Sequence, residues 1–259
     1  AFTDAAINFI KDNKSKPFFA YIPHSAAHVP LFAKPERVEA AGGDVYRAII
    51  GDIDLSVGRV LKTLKELGIE KNTLVIFTND NGGFGKASSG SLRGGKFGPK
   101  YEGHMRVPTL AWWPGKIPAG AISSEIGTTT DLFTTIANII GAKVSPERKI
   151  DGKDITDVLL GKPGAKSPHE TLYYEIGGIR QGKWKLVSFR KKGNNISELY
   201  KLDEDLGEKN NLADKYPEKV AAMTKLLEQH ASYIKGQQRL AGFVDNPKPI
   251  LTETKDLPT

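Results

Sequence analysis

The chain has 259 residues, 39% hydrophobic and 26% charged, with 27 glycines and 15 prolines; this excludes collagen-like, coiled-coil and wholly disordered classes and suits one large domain or a large one with a small appendage. No stretch approaches the roughly 18 apolar residues of a membrane span, and the absence of cysteine removes disulfides, thiolate metal sites and a cysteine nucleophile from this chain. A formal charge of +7 favours anionic ligands, yet the basic residues are dispersed, and the densest run, Arg190, Lys191 and Lys192, lies beside Gly193 in a loop-like stretch, which argues against nucleic acid.

The sequence opens at Ala1 on an amphipathic segment instead of a basic and then apolar leader, as expected of a processed or cut piece. Thr3 and Asp4 precede a helical pattern with Ala6, Ile7 and Ile10 on one face, ended by the polar run Lys11 to Lys16. PFFAYI, residues 17 to 22, reads as a buried parallel strand that empties into the loop HSAAHVP. Between Asp44 and Leu67, apolar residues recur every three or four positions and Gly68 follows, predicting a long amphipathic helix with a glycine cap. TLVIFT, residues 73 to 78, is predicted as a second buried strand, completing a βαβ unit.

About thirty Gly- and Ser-rich residues follow, Asn79 to Arg106, longer than a routine connection and therefore a candidate site. The sheet resumes at Thr109 to Trp113, and Asp131 to Ile140 carries helical periodicity. Beyond Pro168 the pattern changes to short strands, TLYYEI, KWKLVSF and SELYKL, and then to a helix from Pro217 to about Lys235. These patterns predict an α/β unit over 1–161, a small α+β subdomain over 162–244 and an extended or loose tail over 245–259.

Asp80 and Asn81 stand just past the end of a predicted strand, where open α/β sheets place ligands, and both offer oxygen donors suited to Ca²⁺ or Mg²⁺. An Asp-Asn-Gly turn bonding its own backbone explains them equally well. LRGGK, Leu92 to Lys96, brings two cations and two glycines together, as for a phosphate or sulfate, or forms a plain exposed turn. His28 is a candidate proton donor or anion ligand, although a lone histidine is more often only packed or exposed. His24 lies four residues earlier, but Pro23 and Pro30 oppose the helix a metal pair would need. Glu102 and Arg106 read as structural, in buried salt bridges that bind the loop to the sheet, and Asp131 and Glu125 as helix-entry and surface residues.

The order and wording of several phrases resemble the type I sulfatases, arylsulfatase-like members of the alkaline phosphatase superfamily. They include KPFFAYIPHSAAHVPL, IDLSVGRVLKTLKELGIEKNTLVIFTNDNG, GSLRGGK, YEGHMRVP, WWPGKIPAG, RQGKWKLV and LYKLDEDLGEKNNLA. The resemblance implies part of an alkaline-phosphatase-like sheet with flanking helices, and sulfate-ester hydrolysis with calcium and a formylglycine. By it, Asp80 and Asn81 look like two calcium ligands, Lys96 like the lysine that contacts sulfate, and His28 like the histidine beside the leaving oxygen.

The departures are specific. No Cys or Ser starts a C/S-x-P/A-x-R segment, the family's early acidic metal ligands have no counterpart, and His104 replaces the second glycine of the family's YEGG phrase. The chain therefore resembles the latter portion of a sulfatase and is expected to be inactive alone, completed by a missing N-terminal portion or another chain through an exposed sheet edge. Family habit favours export. A phosphodiesterase or phosphonate ester hydrolase of the same superfamily is the alternative reading, and a non-catalytic anion-binding or structural fragment is another.

Overall fold

The computed structural model describes residues 1–147, 149–175, 177–237 and 245, so nearly all of the predicted tail lies outside the described residues. Three helices begin the chain: α1 (Phe2–Asn13), α2 (Pro35–Ala40) and α3 (Val45–Glu66). The long helix has both of its ends specified. The Asp44 carboxylate accepts the Tyr46 and Arg47 amides at the N-terminus, and Gly68, at φ +69°, lets the chain turn back so that Ile69 N–H reaches Leu64 O. Its buried stripe, Val60 and Leu64, packs on Ile7 and Ile10 of α1.

Two strands follow, β1 (Val75–Thr78) and β2 (Thr109–Trp112), paired antiparallel with Val75 opposite Trp112. This corrects the predicted βαβ unit, because residues 17 to 22 form no strand and β1 and β2 run antiparallel. Phe18 and Ile22 pack on the same α1–α3 cluster as Val75 and Trp112, while Phe19 and Tyr21 point outward at 74% and 79% exposure. The segment has the side-chain alternation of a strand, but among the described residues its backbone finds no hydrogen-bond partner. Leu110 of β2 is also exposed.

Three short or medium helices, α4 (Glu102–Met105), α5 (Asp131–Ile139) and α6 (Thr156–Leu159), lead to a four-stranded antiparallel meander: β3 (Thr171–Tyr173), β4 (Gly178–Gln181), β5 (Trp184–Lys191) and β6 (Asn194–Lys201). Helix α7 (Pro217–Gln237) closes the described chain. The small α+β sheet was predicted from its other three strands, whereas β4 was not. Period-two alternation divides the meander between two surroundings. Ile179, Leu186 and Leu199 face Met223 and Leu227 of α7, whereas Val187 and Tyr200 face Tyr101 in the long loop. Because Ile179 is fully buried in the first cluster, Ile179→Val is expected to cost about 0.5–1.5 kcal/mol in urea unfolding.

Candidate active site

β1 ends at Thr78, whose hydroxyl meets that of Thr109 at 2.9 Å, so the loop leaves from a point fixed to β2. Asp80 and Asn81 come next, and the Asn81 amide donates to Asp80 Oδ2. From there three backbone segments interlock. Gly82 N–H donates to His104 O at 3.1 Å, Lys96 N–H to Gly83 O at 2.7 Å, and Gly103 N–H to Arg93 O at 2.8 Å. Glycine is required for this closeness. A Cβ on Gly82 would lie 1.8 Å from Gly103 O, one on Gly95 2.2 Å from Gly83 O, and one on Gly103 2.5 Å from the carbonyls of Arg93 and Gly94. The interlock holds the Asp80–Asn81 turn and Lys96 in adjoining stretches of one loop system.

This loop system is bolted to the meander through buried charge. Lys185 of β5 shares a strand face with Val187, pointing toward the loop and not toward α7. Its ammonium lies 2.8 Å from Glu102 Oε1 and 3.0 Å from Glu208 Oε1, with all three side chains buried. Glu208 Oε2 also accepts the Glu102 amide at 2.7 Å, and Tyr174 donates its hydroxyl to Glu102. Burial raises the Glu208 carboxyl above its ordinary range, against the opposing charge of Lys185.

Beside this network, Arg93 donates to Glu198 at 3.1 Å and to the Tyr200 hydroxyl at 2.6 Å. Burial opposes the Glu198 charge, but hydrogen bonds from Tyr200 and Tyr101 and the charge of Arg93 outweigh it and hold the carboxyl below its usual range. Burial, reinforced by Glu198, raises both tyrosines. Glu102 therefore has the structural role expected of it, with Arg106 4.0 Å away and Lys185 as its close partner. Sequence reasoning missed Lys185 and Glu208; the available signal was a lysine alternating with core residues along a strand.

His28 lies apart in contact terms. It is exposed, its Nδ1–H donates to Val29 O at 2.8 Å, and among the described residues no hydrogen bond or ion pair joins it to Asp80, Asn81 or Lys96. His24 is engaged elsewhere, its Nε2 3.2 Å from Ser56 Oγ on α3. Its Nε2 therefore faces the helix and makes no pair with His28. His104 contributes its carbonyl to the interlock, while its Nδ1 is buried with no hydrogen-bond partner. Asp131 opens α5 as expected but is not a surface residue: it is fully buried, accepts the Thr128 and Lys153 amides and meets His169 Nε2 at 2.8 Å. Glu125 is partly covered and accepts the Ser167 amide.

The oxygens of Asp80 and Asn81 have the right chemistry for calcium but not the number. The ion takes six to eight donors, and among the described residues no group of three or more His, Cys, Asp or Glu side chains could hold a metal. Two such donors alone do not make a calcium shell.

A family model described as Sulfatase matches residues 1–142, and one described as N-sulphoglucosamine sulphohydrolase, C-terminal, matches 98–235. An N-acetylgalactosamine-6-sulfatase of Mus musculus is 30% identical, covering 92% of this chain and 54% of its own. An arylsulfatase of Hemicentrotus pulcherrimus is 33% identical over 78% of this chain and 37% of its own. The solved structure of Ps i-CgsB, also determined in complex with k-i-k-neocarrahexaose, superposes with a TM-score of 0.78 at 28% identity, covering 89% of this chain and 54% of that one. The chain thus spans about half the length of these relatives or less. With a family model covering more than half of its residues and a sheet-and-helix architecture shared with solved sulfatases, the chain belongs to the sulfatase family.

Proposed function

We propose that this chain supplies the anion-holding half of a sulfuric ester hydrolase acting on a sulfated carbohydrate. The observation that supports the reading is the glycine interlock, which ties the Lys96 backbone to Gly83, two residues past Asn81, in a chain of the sulfatase family. In this reading the Lys96 ammonium neutralises a sulfate oxygen that gains charge as the S–O bond yields. His28 keeps its Nδ1–H on Val29 O and, as imidazolium, passes the Nε2 proton to the departing alkoxide.

Asp80 and Asn81 form part of the calcium shell, and membership in the family implies a formylglycine for the complete enzyme. The nucleophile and the other ligands belong to another stretch of polypeptide, since this sequence has neither cysteine nor a C/S-x-P/A-x-R segment. The unpaired backbone of residues 17 to 22 and the outward faces of Phe19, Tyr21 and Leu110 are where that polypeptide packs, adding strand to strand. Residues 1–161 then form the catalytic unit and 162–244 its buttress. Among the described residues no helix is long and apolar enough to cross a membrane; following family habit, the complete enzyme is exported. The names of the relatives, an N-acetylgalactosamine-6-sulfatase and a neocarrahexaose complex, support a sulfated sugar as substrate.

The test pairs an aryl sulfate with the matching aryl phosphate. The protein completed by a nucleophile-bearing segment is expected to cleave the sulfate in preference, and the 259-residue chain alone neither. Preference for the phosphate, or turnover by the isolated chain, would overturn the assignment.

A further inference from the structure

Ser56 is a buried hydroxyl where the pattern of α3 calls for an apolar side chain. It precedes Val60 by one helical turn and Leu64 by two, on the stripe that packs against α1, and is only 6% exposed. Two partners satisfy it: Thr3 Oγ1 of α1 lies 2.7 Å from its Oγ, and His24 Nε2 lies 3.2 Å from it. Ser56 has one hydroxyl proton, so the three groups form a directed chain. Either Thr3 donates to Ser56 and Ser56 to Nε2, or Nε2–H donates to Ser56 and Ser56 to Thr3. Such a bridge offsets the cost of a polar group in an apolar seam.

The bridge ends in the loop that carries His28. Among the described residues, the only hydrogen bond from the stretch Pro17 to Ala33 to any other element is the one between His24 and Ser56. Within the loop, His28 N–H donates to Ser25 O at 3.1 Å, and the ring Nδ1–H donates to Val29 O at 2.8 Å. The imidazole is thus tied to its own turn, and the turn is tied to the helices through His24. Burial follows the same division: Ser25, Ala26, His28, Val29 and Pro30 are exposed, whereas His24 is partly covered. Strand pairing along residues 17 to 22 does not replace this anchor, because Pro23 has no N–H with which to continue a ladder.

We propose that His24, through Ser56 and Thr3, is the positioning residue that holds the His28 imidazole in place for proton transfer to the leaving oxygen. The proposal rests on the sulfatase reading and deepens it: His28 meets the substrate, and His24 acts only through the turn between them. General-acid help matters most where the leaving oxygen is most basic. A loosened fold slows every ester alike, whereas a displaced acid slows the ester of the poorer leaving group.

The first arm of the test is backbone nitrogen relaxation of the 259-residue chain. His24→Ala is expected to lower the amide order parameters of Ser25 to His28 from about 0.85 to below about 0.6. His24→Gln, whose terminal amide reaches the position of Nε2, is expected to restore them. Unchanged order parameters in His24→Ala would overturn the proposal. The second arm compares kcat/KM of the completed enzyme on phenyl sulfate and para-nitrophenyl sulfate. His24→Ala is expected to slow the phenyl ester about 10- to 100-fold and the nitrophenyl ester less than about 3-fold. His28→Ala should show the same selectivity more strongly, and His24→Gln should recover the phenyl ester. Equal loss on both esters in His24→Ala, or loss on neither, would sink the positioning role even where the turn loosens. If His28→Ala itself slows both esters alike, or the completed enzyme cleaves neither, the catalytic reading fails and takes the proton-transfer role with it, while the order parameters still show whether His24 holds the turn.

Discussion

Replacing Lys185 by Met is expected to lower the unfolding free energy by about 3–5 kcal/mol, although methionine keeps most of the aliphatic stem. The wild-type ammonium stands between Glu102 and Glu208 at 2.8 and 3.0 Å, with no solvent access to any of the three. Without it, two carboxylates face each other in a buried site and one must take up a proton. The pH dependence gives the sign. Burial already raises Glu208 in the folded state, so its protonated form favours folding. That contribution is complete below the unfolded glutamate value and is lost as pH rises through the higher folded one.

Lys185→Met moves the folded value further up, so the variant is expected to regain stability on acidification over a window that extends above that of the wild type. Glu208→Gln is expected to abolish this pH-dependent component. Urea unfolding of the three proteins across the acidic range measures all of it. A Lys185→Met protein within about 1 kcal/mol of wild type at neutral pH, with an unchanged pH profile, would show that the triad carries no such charge coupling.

Elements whose causes are local could be read from the sequence. Helix α3 was legible because Asp44, the apolar stripe and Gly68 lie on one stretch of chain and each specifies a boundary or a face. PFFAYI failed as a strand for the opposite reason. Its composition and alternation are those of a strand, but a ladder needs an adjoining backbone, and among the described residues none pairs with 17 to 22. The same limit explains why β1 and β2 turned out antiparallel: thirty loop residues of unspecified path separate them, and their relation is a tertiary fact.

The site divides along the same line. Asp80, Asn81 and Lys96 announce their chemistry by residue type, and the roles proposed for them rest on the family resemblance. What brings their backbone segments together is the absence of three side chains, at Gly82, Gly95 and Gly103, and a glycine in sequence does not say which carbonyl will approach it. Lys185 was overlooked because a lysine in a strand ordinarily marks the solvent face; only the second buried face of β5, under Tyr101 and Tyr200, makes it an anchor.

Gly82→Ala tests that interlock most directly, because a single methyl group should separate the Asp80–Asn81 turn from the Lys96 backbone. Gly82 does not lie in the left-handed region, so alanine meets no backbone strain of its own and the cost is contact alone. The new Cβ would sit 1.8 Å from Gly103 O, 2.8 Å from Gly103 C and 3.1 Å from His104 Cα, all backbone atoms with no rotamer to change. The α4 turn must therefore move off the 80–83 segment, breaking the Gly82–His104 hydrogen bond and tugging on Gly103–Arg93 behind it.

A loss of about 3 kcal/mol is expected, with faster amide exchange concentrated at Gly82, Lys96 and Gly103. In the completed enzyme, Gly82→Ala should approach the roughly 100-fold fall in kcat/KM expected of Lys96→Ala, although it removes no charged group. Gly58→Ala supplies the contrast. It lies inside α3 with nothing within 4 Å of the added Cβ, and is expected to stabilise by about 0.5–1 kcal/mol through helix propensity while leaving the loop amides protected. Unchanged protection at Lys96 in Gly82→Ala would mean that Asp80 and Lys96 are held together by something other than the glycine contacts.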